Sequence, residues 1–314
     1  MSLHESPSDV ASMRILMTTT RLQQPRPVTL PLQTSSGGYA MLALDQRESL
    51  RAMFGRSSHG TWVEDESLRT FKRTAVDILS PFASAALLDR QFGLDSGRPS
   101  SLAPGCGLIV ACDVLHQHTG APISSITFDE EVTPEFLEEC GADAIKLLVL
   151  WNSAEGRGER SDLVGRALEL AAKAGVASLV EGIVRPPTGR DWHSPDERHE
   201  AILECASELA AHRPDIYKAE VPGYRPGDVS KVRAQSVLMS QAVGGQWVVL
   251  SNGVVAEDFP DAVAESLQGG ADGFLAGRAI WADTVIEPDV AIALVDRSIP
   301  RLERLRSLVD GSRP

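Results

Sequence analysis

Short apolar segments recur along the chain, and each ends in or beside a polar or charged residue. Alanine, valine, isoleucine and leucine dominate them, as in strands that are buried on both faces of a sheet. Helical sequence patterns separate most of the segments. The eight segments are 39–45, 83–89, 107–113, 144–151, 178–184, 216–222, 247–253 and 273–279.

Eight buried strands that alternate with helices predict an α/β protein with a single closed (β/α)8 TIM barrel. A doubly wound open sheet is the alternative, but its glycine-rich turn would follow the first strand, whereas Gly37 and Gly38 precede it. A chain of 314 residues accommodates one such barrel. We expect the barrel over residues 35–314. Residues 1–34 are rich in serine, threonine, glutamine and proline, which predicts a flexible N-terminal extension.

Composition narrows the range of functions. The formal net charge of −13 disfavours nucleic acid or an anionic membrane as the main partner, so an anionic substrate needs a local basic site. The four cysteines lack zinc-site spacing, which predicts free thiols in a reducing cytoplasm. Apolar stretches fall short of the roughly 18–20 residues that span a bilayer. We therefore expect a cytoplasmic protein without a membrane partner.

The segment 215–222 carries a lysine and a glutamate on one face of a short apolar strand. Side chains alternate along a strand, so Lys218 and Glu220 point the same way. A buried lysine that gives up its proton is a nucleophile toward carbonyl groups, which predicts a Schiff-base enzyme. A structural ion pair between Lys218 and Glu220 is the alternative.

Two further ionisable residues lie on neighbouring predicted strands. Lys146 and Lys218 are on alternate strands, so we expect their amines to approach one another, and a second cation favours the free amine of the nucleophile. A structural partnership of Lys146 with Asp113 or Glu181 is the alternative. Glu181 lies on the strand between the lysines with apolar neighbours, which suits a general acid and base. A role as counter-ion to either lysine is compatible with that chemistry.

The last two predicted strands supply a candidate anion site. Ser251, Asn252 and Gly253 follow the seventh strand, and Gly277 and Arg278 end the eighth. Barrels commonly bind phosphate in this region through backbone N–H groups. The glycines permit close approach of the backbone, and the arginine supplies a forked cation. These five residues predict a phosphate site.

A second basic element follows the fifth predicted strand. Arg185 precedes Pro186 and Pro187, which stiffen the loop. Arg185 is a candidate for a second anionic group, together with Trp151 or Asn152. A surface arginine on a rigid loop is the alternative.

Seven motifs, ordered along the chain, resemble the class I aldolases of the tagatose-bisphosphate and sulfofructose-phosphate aldolase group. Within this group, residues 148–151, Glu181 and residues 184–187 look closer to the sulfofructose-phosphate branch, whereas Asn252 stands where a small residue is more usual. The motifs are 37–48, 71–72 with 78–84, 87–89, 145–148, 218–222, 250–254 and 274–281.

The resemblance implies cleavage of 6-deoxy-6-sulfofructose 1-phosphate to dihydroxyacetone phosphate and 3-sulfolactaldehyde, without a metal or cofactor, in a homo-oligomer (dimer or tetramer). Lys218 would form the Schiff base and Glu181 would move protons, while Asp45, Gln46 and Asp89 would contact substrate. The alternative enzyme is a tagatose-1,6-bisphosphate aldolase. A non-catalytic regulatory protein on the aldolase scaffold is the alternative from another class.

Overall fold

The computed structural model describes residues 31–56, 60–94, 97–154, 156–187 and 190–313. The strands within these residues are β1 (Tyr39–Leu44), β2 (Ala85–Asp89), β3 (Gly107–Ala111), β4 (Asp113–His116), β5 (Ser125–Phe128), β6 (Ala144–Trp151), β7 (Ala177–Val184), β8 (Ile216–Glu220), β9 (Gln246–Leu250) and β10 (Gly273–Ala276). The α-helices are α1 (Glu48–Phe54), α2 (Asp65–Leu79), α3 (Pro134–Cys140), α4 (Arg157–Ala174), α5 (Pro195–Ala210), α6 (Val232–Val243), α7 (Phe259–Gln268), α8 (Arg278–Trp281), α9 (Val290–Ala293) and α10 (Ile299–Gly311). Short 3-10 turns lie at Ser80–Phe82 and Ala282–Thr284, and a π-helical turn lies at Leu294–Ser298.

Eight parallel strands close into a barrel in the order β1-β10-β9-β8-β7-β6-β3-β2. Each of the eight predicted strands is one of them, so the predicted TIM barrel is confirmed. The register pairs Glu181 on β7 with Lys218 on β8 and Lys146 on β6 with Leu179 on β7. Residues two apart on β7, such as Leu179 and Glu181, share a face, so Lys146, Glu181 and Lys218 all point into the barrel.

The barrel interior changes character along its axis. An apolar cluster that includes Met41, Leu179, Ile216 and Val248 fills the end where the strands begin. Residues of the opposite parity, such as Tyr217 on β8, belong to the larger core between the strands and the helices. Apolar packing at one end leaves the charged residues together at the carboxyl end of the strands.

The amino end of the barrel is closed by residues just before β1. Leu32 is fully buried in the interior apolar cluster. A methyl group built on Gly107 would lie 2.8 Å from Leu32 Cδ2, so the segment around Leu32 is in close contact with the start of β3. Residues 31–34 therefore belong to the packed fold, and the predicted tail boundary at residue 34 is wrong for them. The rest of the predicted tail, residues 1–30, lies outside the described residues.

An antiparallel hairpin interrupts the βα repeat between β3 and β6. Strand β4 pairs with β5 from Asp113 opposite Phe128 to His116 opposite Ser125. Leu115 and Ile126 of the hairpin pack against Leu148 and Ile183, which extend from β6 and β7. This hairpin stands over the carboxyl end of the barrel and was not predicted from the sequence.

The four cysteines are free and buried. In the part of the chain that the structure describes, no helix has both the length and the apolar character needed to cross a membrane.

Candidate active site

A cavity of about 460 Å³ lies at the carboxyl ends of the barrel strands. Helix α1 contributes Ser49, Ala52 and Met53 to its wall, and the β4–β5 hairpin contributes Leu115 and several residues of its turn. Seven residues predicted from the sequence also line it, namely Asp45, Gln46, Glu181, Arg185, Lys218, Asn252 and Arg278. The cavity therefore gathers most of the predicted site.

Lys218 and Glu181 form the centre of this cavity. Lys218 Nζ lies 3.0 Å from Glu181 Oε2, as the direct pairing of these two residues across β7 and β8 dictates. The lysine and glutamate side chains are only 4% and 8% exposed. An amine nucleophile and a carboxylate in hydrogen-bond contact are a suitable pair for carbonyl chemistry with proton transfer.

Lys146 lies beneath the cavity and contacts three carboxylates. Its Nζ is 2.7 Å from Asp45 Oδ2, 2.9 Å from Glu181 Oε2 and 3.2 Å from Asp113 Oδ2. Burial lowers the pKa of Lys146, but the charges of Asp113, Asp45 and Glu181 outweigh it and hold that pKa well above its ordinary value. Lys146 is therefore a fixed cation.

This geometry corrects the predicted role of Lys146. Both lysines contact the same oxygen, Glu181 Oε2, so they do approach one another as expected. The charge of Lys146 is nevertheless neutralised by carboxylates. Its contacts fit the alternative interpretation, in which Lys146 is a structural partner of Asp113 and Glu181. Burial raises the pKa of Asp45, but Lys146, Lys218 and Arg47 together hold it well below the ordinary value.

Asp89 belongs to a buried network rather than to the cavity wall. Its carboxylate contacts Lys72 Nζ, lies 3.7 Å from Arg47 Nε and accepts a 2.8 Å hydrogen bond from the backbone N–H of Phe92. Asp89 is fully buried, so these contacts leave no room for substrate. The predicted substrate-binding role of Asp89 is wrong for this physical reason.

Ion pairs connect this network continuously to Lys218. Arg47 Nη2 lies 3.2 Å from Asp113 Oδ1, and Asp113 in turn contacts Lys146. We call the connected set the inner charged cluster. Its members are Asp45, Arg47, Lys72, Asp89, Asp113, Lys146, Glu181 and Lys218.

Glu220 does not pair with Lys218, so the alternative of an ion pair between them is wrong. Glu220 Oε1 lies 2.7 Å from Arg198 Nη2 and accepts a 3.3 Å hydrogen bond from Asn252 Nδ2, while Oε2 accepts one of 2.9 Å from the Val184 N–H. Burial raises the pKa of Glu220, and the Arg198 charge only partly offsets that effect. Arg198 was not predicted from the sequence, because nothing in the local pattern of α5 sets this arginine apart.

Arg278 reaches the same network from the end of β10. Its Nη2 donates to Asn252 Oδ1, so Asn252 joins Arg278 to Glu220. Gly253 has a φ of 77°, in the left-handed region that favours glycine, which explains its identity without a ligand. Ser251 is nearly buried, at 8% exposure.

Gly277 has a packing role, and the close backbone approach to a ligand stays a prediction. A methyl group on Gly277 would lie 2.4 Å from the carbonyl oxygen of Ala43 and 3.0 Å from Gln46 Nε2. The missing side chain thus makes room for β1. Of the five predicted phosphate-site residues, Asn252 and Arg278 line the described cavity.

Arg185 lines the cavity, which favours the predicted anion role over a surface role. Its backbone N–H donates to Trp151 O at 2.8 Å, and Asn152 Nδ2 donates to Pro186 O at 3.3 Å. These contacts fix the loop. Trp151 itself faces away, because its indole N–H donates to Glu208 on α5.

Comparison with protein families defines the class of protein. The family described as "DeoC/LacD family aldolase" matches residues 39–283, which are most of the chain. The protein therefore belongs to this family. Together with the barrel and its Lys218–Glu181 centre, this membership makes the protein an aldehyde-lyase of the class I aldolase type.

Individual relatives agree with this family. Tagatose 1,6-diphosphate aldolase 2 of Enterococcus faecalis is 25% identical over 277 residues, covering 81% of this chain and 82% of that protein. Tagatose 1,6-diphosphate aldolase of Listeria monocytogenes is 26% identical over 278 residues, covering 81% and 80%. Both proteins match about four-fifths of their length to this chain.

Solved structures share the fold at lower identity. An archaeal fructose-1,6-bisphosphate aldolase, with its catalytic lysine covalently bound to the carbinolamine intermediate of the substrate, has a TM-score of 0.61 and 16% identity, covering 89% of this chain and 97% of that one. A fructose-bisphosphate aldolase from Plasmodium falciparum has a TM-score of 0.66 and 14% identity, covering 90% and 93%.

Proposed function

We propose that the enzyme cleaves a phosphorylated ketose through a Schiff base on Lys218, and that tagatose 1,6-bisphosphate is the favoured substrate. The observation that carries the proposal is the contact between Lys218 Nζ and Glu181 Oε2 inside a cavity that also contains Arg185 and Arg278. The products would be dihydroxyacetone phosphate and glyceraldehyde 3-phosphate. The names of the curated relatives support the tagatose substrate.

The sulfonated ketose expected from the sequence motifs is the second candidate. The comparisons favour the tagatose alternative over it. One observation favours a sulfonate. Arg185 lines the cavity beside β7, and its single positive charge matches the single negative charge of a sulfonate, whereas a phosphate carries up to two.

The residues account for each step of the proposed cleavage. Lys218 attacks the C2 ketone and loss of water gives an iminium, which accepts the electron pair when the C3–C4 bond breaks. Glu181 takes the proton of the C4 hydroxyl as the aldehyde departs, and then returns it to C3 of the enamine. Hydrolysis of the resulting iminium releases dihydroxyacetone phosphate and restores Lys218.

Neighbouring groups would hold the reactants for these steps. Lys146 Nζ lies 2.9 Å from Glu181 Oε2, so its charge would hold the carboxylate beside Lys218. Gln46 Oε1 is buried and accepts no hydrogen bond from the described residues, so a substrate hydroxyl can supply the missing donor. Asp45, adjacent on the same wall, offers a carboxylate to another hydroxyl.

The two arginines would bind the two anionic ends of the substrate. Arg185 follows β7 and Arg278 follows β10, and the strands β8 and β9 lie between them in the barrel. Lys218 on β8 therefore lies between two cationic groups, as an extended ketose with a charge at each end requires. We assign the C1 phosphate to Arg278 and the C6 group to Arg185.

Steady-state kinetics with both ketoses test the proposal. We expect kcat/KM for tagatose 1,6-bisphosphate to exceed that for 6-deoxy-6-sulfofructose 1-phosphate, and activity to survive EDTA. The reverse ratio would establish the sulfonated substrate. Failure to turn over either ketose, with no borohydride trapping of dihydroxyacetone phosphate, would support the non-catalytic regulatory scaffold.

A further inference from the structure

We propose that Arg198, Glu220 and Asn252 form a positioning arm that orients Arg278 toward the substrate phosphate. The proposal rests on the proposed function, because it assumes that Arg278 binds the C1 phosphate. The arm runs from helix α5 across the end of β8 to the end of β9. Its contacts are Arg198 Nη2 to Glu220 Oε1, Asn252 Nδ2 to the same oxygen, and Arg278 Nη2 to Asn252 Oδ1.

The order of chemical groups in the arm fixes its direction. A carboxylate only accepts hydrogen bonds and a guanidinium only donates them, whereas a carboxamide does both. Asn252 must therefore turn its NH₂ group toward Glu220 and its oxygen toward Arg278. A side chain without both functions would lose at least one of these contacts.

Burial makes the carboxylate at the centre of the arm a rigid reference point. Glu220 is 2% exposed and lies at the end of the strand that carries Lys218. Its Oε2 is held by the Val184 N–H at 2.9 Å, and its Oε1 by Arg198 at 2.7 Å. The Arg198 side chain is 25% exposed, so it compensates the buried charge of Glu220 from the rim of the site.

This geometry restrains the guanidinium before substrate arrives. An arginine side chain loses substantial rotamer freedom when it is ordered, and ordering it in advance lowers the cost of binding. The contact with Asn252 engages one nitrogen of Arg278. The remaining donors of the planar fork are then presented in a defined plane for a phosphate.

A one-atom change in Glu220 should reverse the polarity of the arm. In Glu220→Gln, the amide oxygen satisfies the Val184 N–H, so the new NH₂ group faces Asn252 and Arg198, which also present donors. Asn252 can then accept a hydrogen bond by turning its oxygen toward the new amide. This rotation places the NH₂ group of Asn252 against Arg278. Two donors facing each other would release Arg278 from its position.

The experiment compares probes with and without a phosphate. Borohydride trapping of the Schiff base is measured as a function of dihydroxyacetone phosphate and of dihydroxyacetone concentration in the wild type, Asn252→Ala, Glu220→Gln and Arg198→Met. Arg278→Ala provides the reference for complete loss of the phosphate contact. Arg198→Lys tests rescue by a conservative change, because it retains a cation beside Glu220.

A matched control comes from a similar ion pair outside the cavity. Arg160 on α4 lies 2.8 Å from Glu208 on α5, and the two side chains are 9% and 16% exposed. Glu208→Gln therefore removes a partly buried glutamate from an arginine without touching the positioning arm. It should leave the preference for the phosphorylated probe unchanged.

We expect the arm variants to weaken half-saturation by dihydroxyacetone phosphate about 10-fold, which corresponds to about 1.4 kcal/mol, because Arg278 loses its restraint before the phosphate binds. Half-saturation by dihydroxyacetone should change about 2-fold or less. The Arg198→Lys variant should fall between the wild type and Arg198→Met. Asn252→Ala keeps the test decisive if Glu220→Gln fails to fold.

Four results would overturn the proposal in distinguishable ways. Equal weakening of both probes would make the arm a support of the barrel alone. Loss of phosphate preference in Arg278→Ala but not in Asn252→Ala would reject the arm and retain the proposed function. Unchanged preference in Arg278→Ala would reject the assignment of the C1 phosphate itself, and absence of trapping in the wild type would reject the Schiff-base function.

Discussion

The two buried lysines of the barrel interior share one carboxylate oxygen and differ in almost everything else. Lys146 is fully buried and contacts three carboxylates, whereas Lys218 contacts Glu181 and lines the cavity. The first lies toward the β1–β3 side, where Arg47, Lys72 and Asp89 extend the ion pairs. The second lies on β8 and lines the cavity at the carboxyl ends of the strands.

The difference teaches that the number and accessibility of partners decide what a buried lysine does. A cation enclosed by carboxylates is held in its charged form and has no vacant side for a ligand. A lysine with a single carboxylate neighbour and an open face can meet a carbonyl carbon and pass a proton. The same residue type is therefore suited to structure at Lys146 and to chemistry at Lys218.

The largest expected effect comes from removing the lysine that lines the cavity, Lys218. Lys218→Met should lower kcat by about 10⁴ or more, because no Schiff base can form without the amine. The free energy of unfolding should fall less than in Lys146→Met, since Glu181 keeps its contact with Lys146. Peptide mapping after borohydride trapping should place dihydroxyacetone phosphate on the peptide containing Lys218. A label on Lys146 would reverse the comparison.

Glu181→Gln should have the next largest effect. The variant keeps the shape of the side chain and removes proton transfer, so kcat should fall by about 10²–10⁴ with a smaller change in KM. Schiff-base trapping should persist, and circular dichroism should show a folded barrel. A variant that neither folds nor traps would mean that Glu181 serves mainly as the counter-ion of the lysines.

Lys146→Met should act on stability more than on trapping. The change leaves Asp45 and Asp113 buried without their shared cation, so the free energy of unfolding in urea should fall by about 3–5 kcal/mol. Lys173→Met, at an exposed position on α4, is the matched control and should leave the unfolding midpoint unchanged. An unaltered midpoint for Lys146→Met would show that its carboxylate contacts contribute nothing net.

The smallest effect concerns substrate choice. Arg185→Ala should change the ratio of kcat/KM for the bisphosphorylated and sulfonated ketoses by about 10-fold, because the two C6 groups differ in charge. Arg278→Ala should weaken both ketoses alike. If Arg278→Ala weakens only one of them, the two anionic ends of the substrate have been assigned to the wrong arginines.

Local sequence patterns were sufficient for the barrel and for the centre of its site. Every barrel strand is a short run of apolar residues, which is a strong signal because both faces are buried. Lys146, Glu181 and Lys218 could be placed because each interrupts such a run. The hairpin gave no comparable signal, since β4 and β5 are four residues each and partly exposed.

Ion-pair partners from distant elements could not be predicted from the sequence. Asp89 looked like a substrate ligand until Lys72 from α2 and Arg47 from the loop after β1 were seen to surround it. Glu220 looked like a partner of Lys218 until Arg198 was found on its other side. Both cases depend on long side chains from distant elements, and alternation along a strand carries no information about them.

The inner charged cluster has an additional consequence for the electrostatics of turnover. It contains four carboxylates and four basic side chains, so its formal sum is zero when all are ionised. An iminium carries the same single positive charge as a lysine ammonium. Replacing one by the other is an isocoulombic exchange, which spares the buried cluster the large cost of an uncompensated charge in a medium of low polarity.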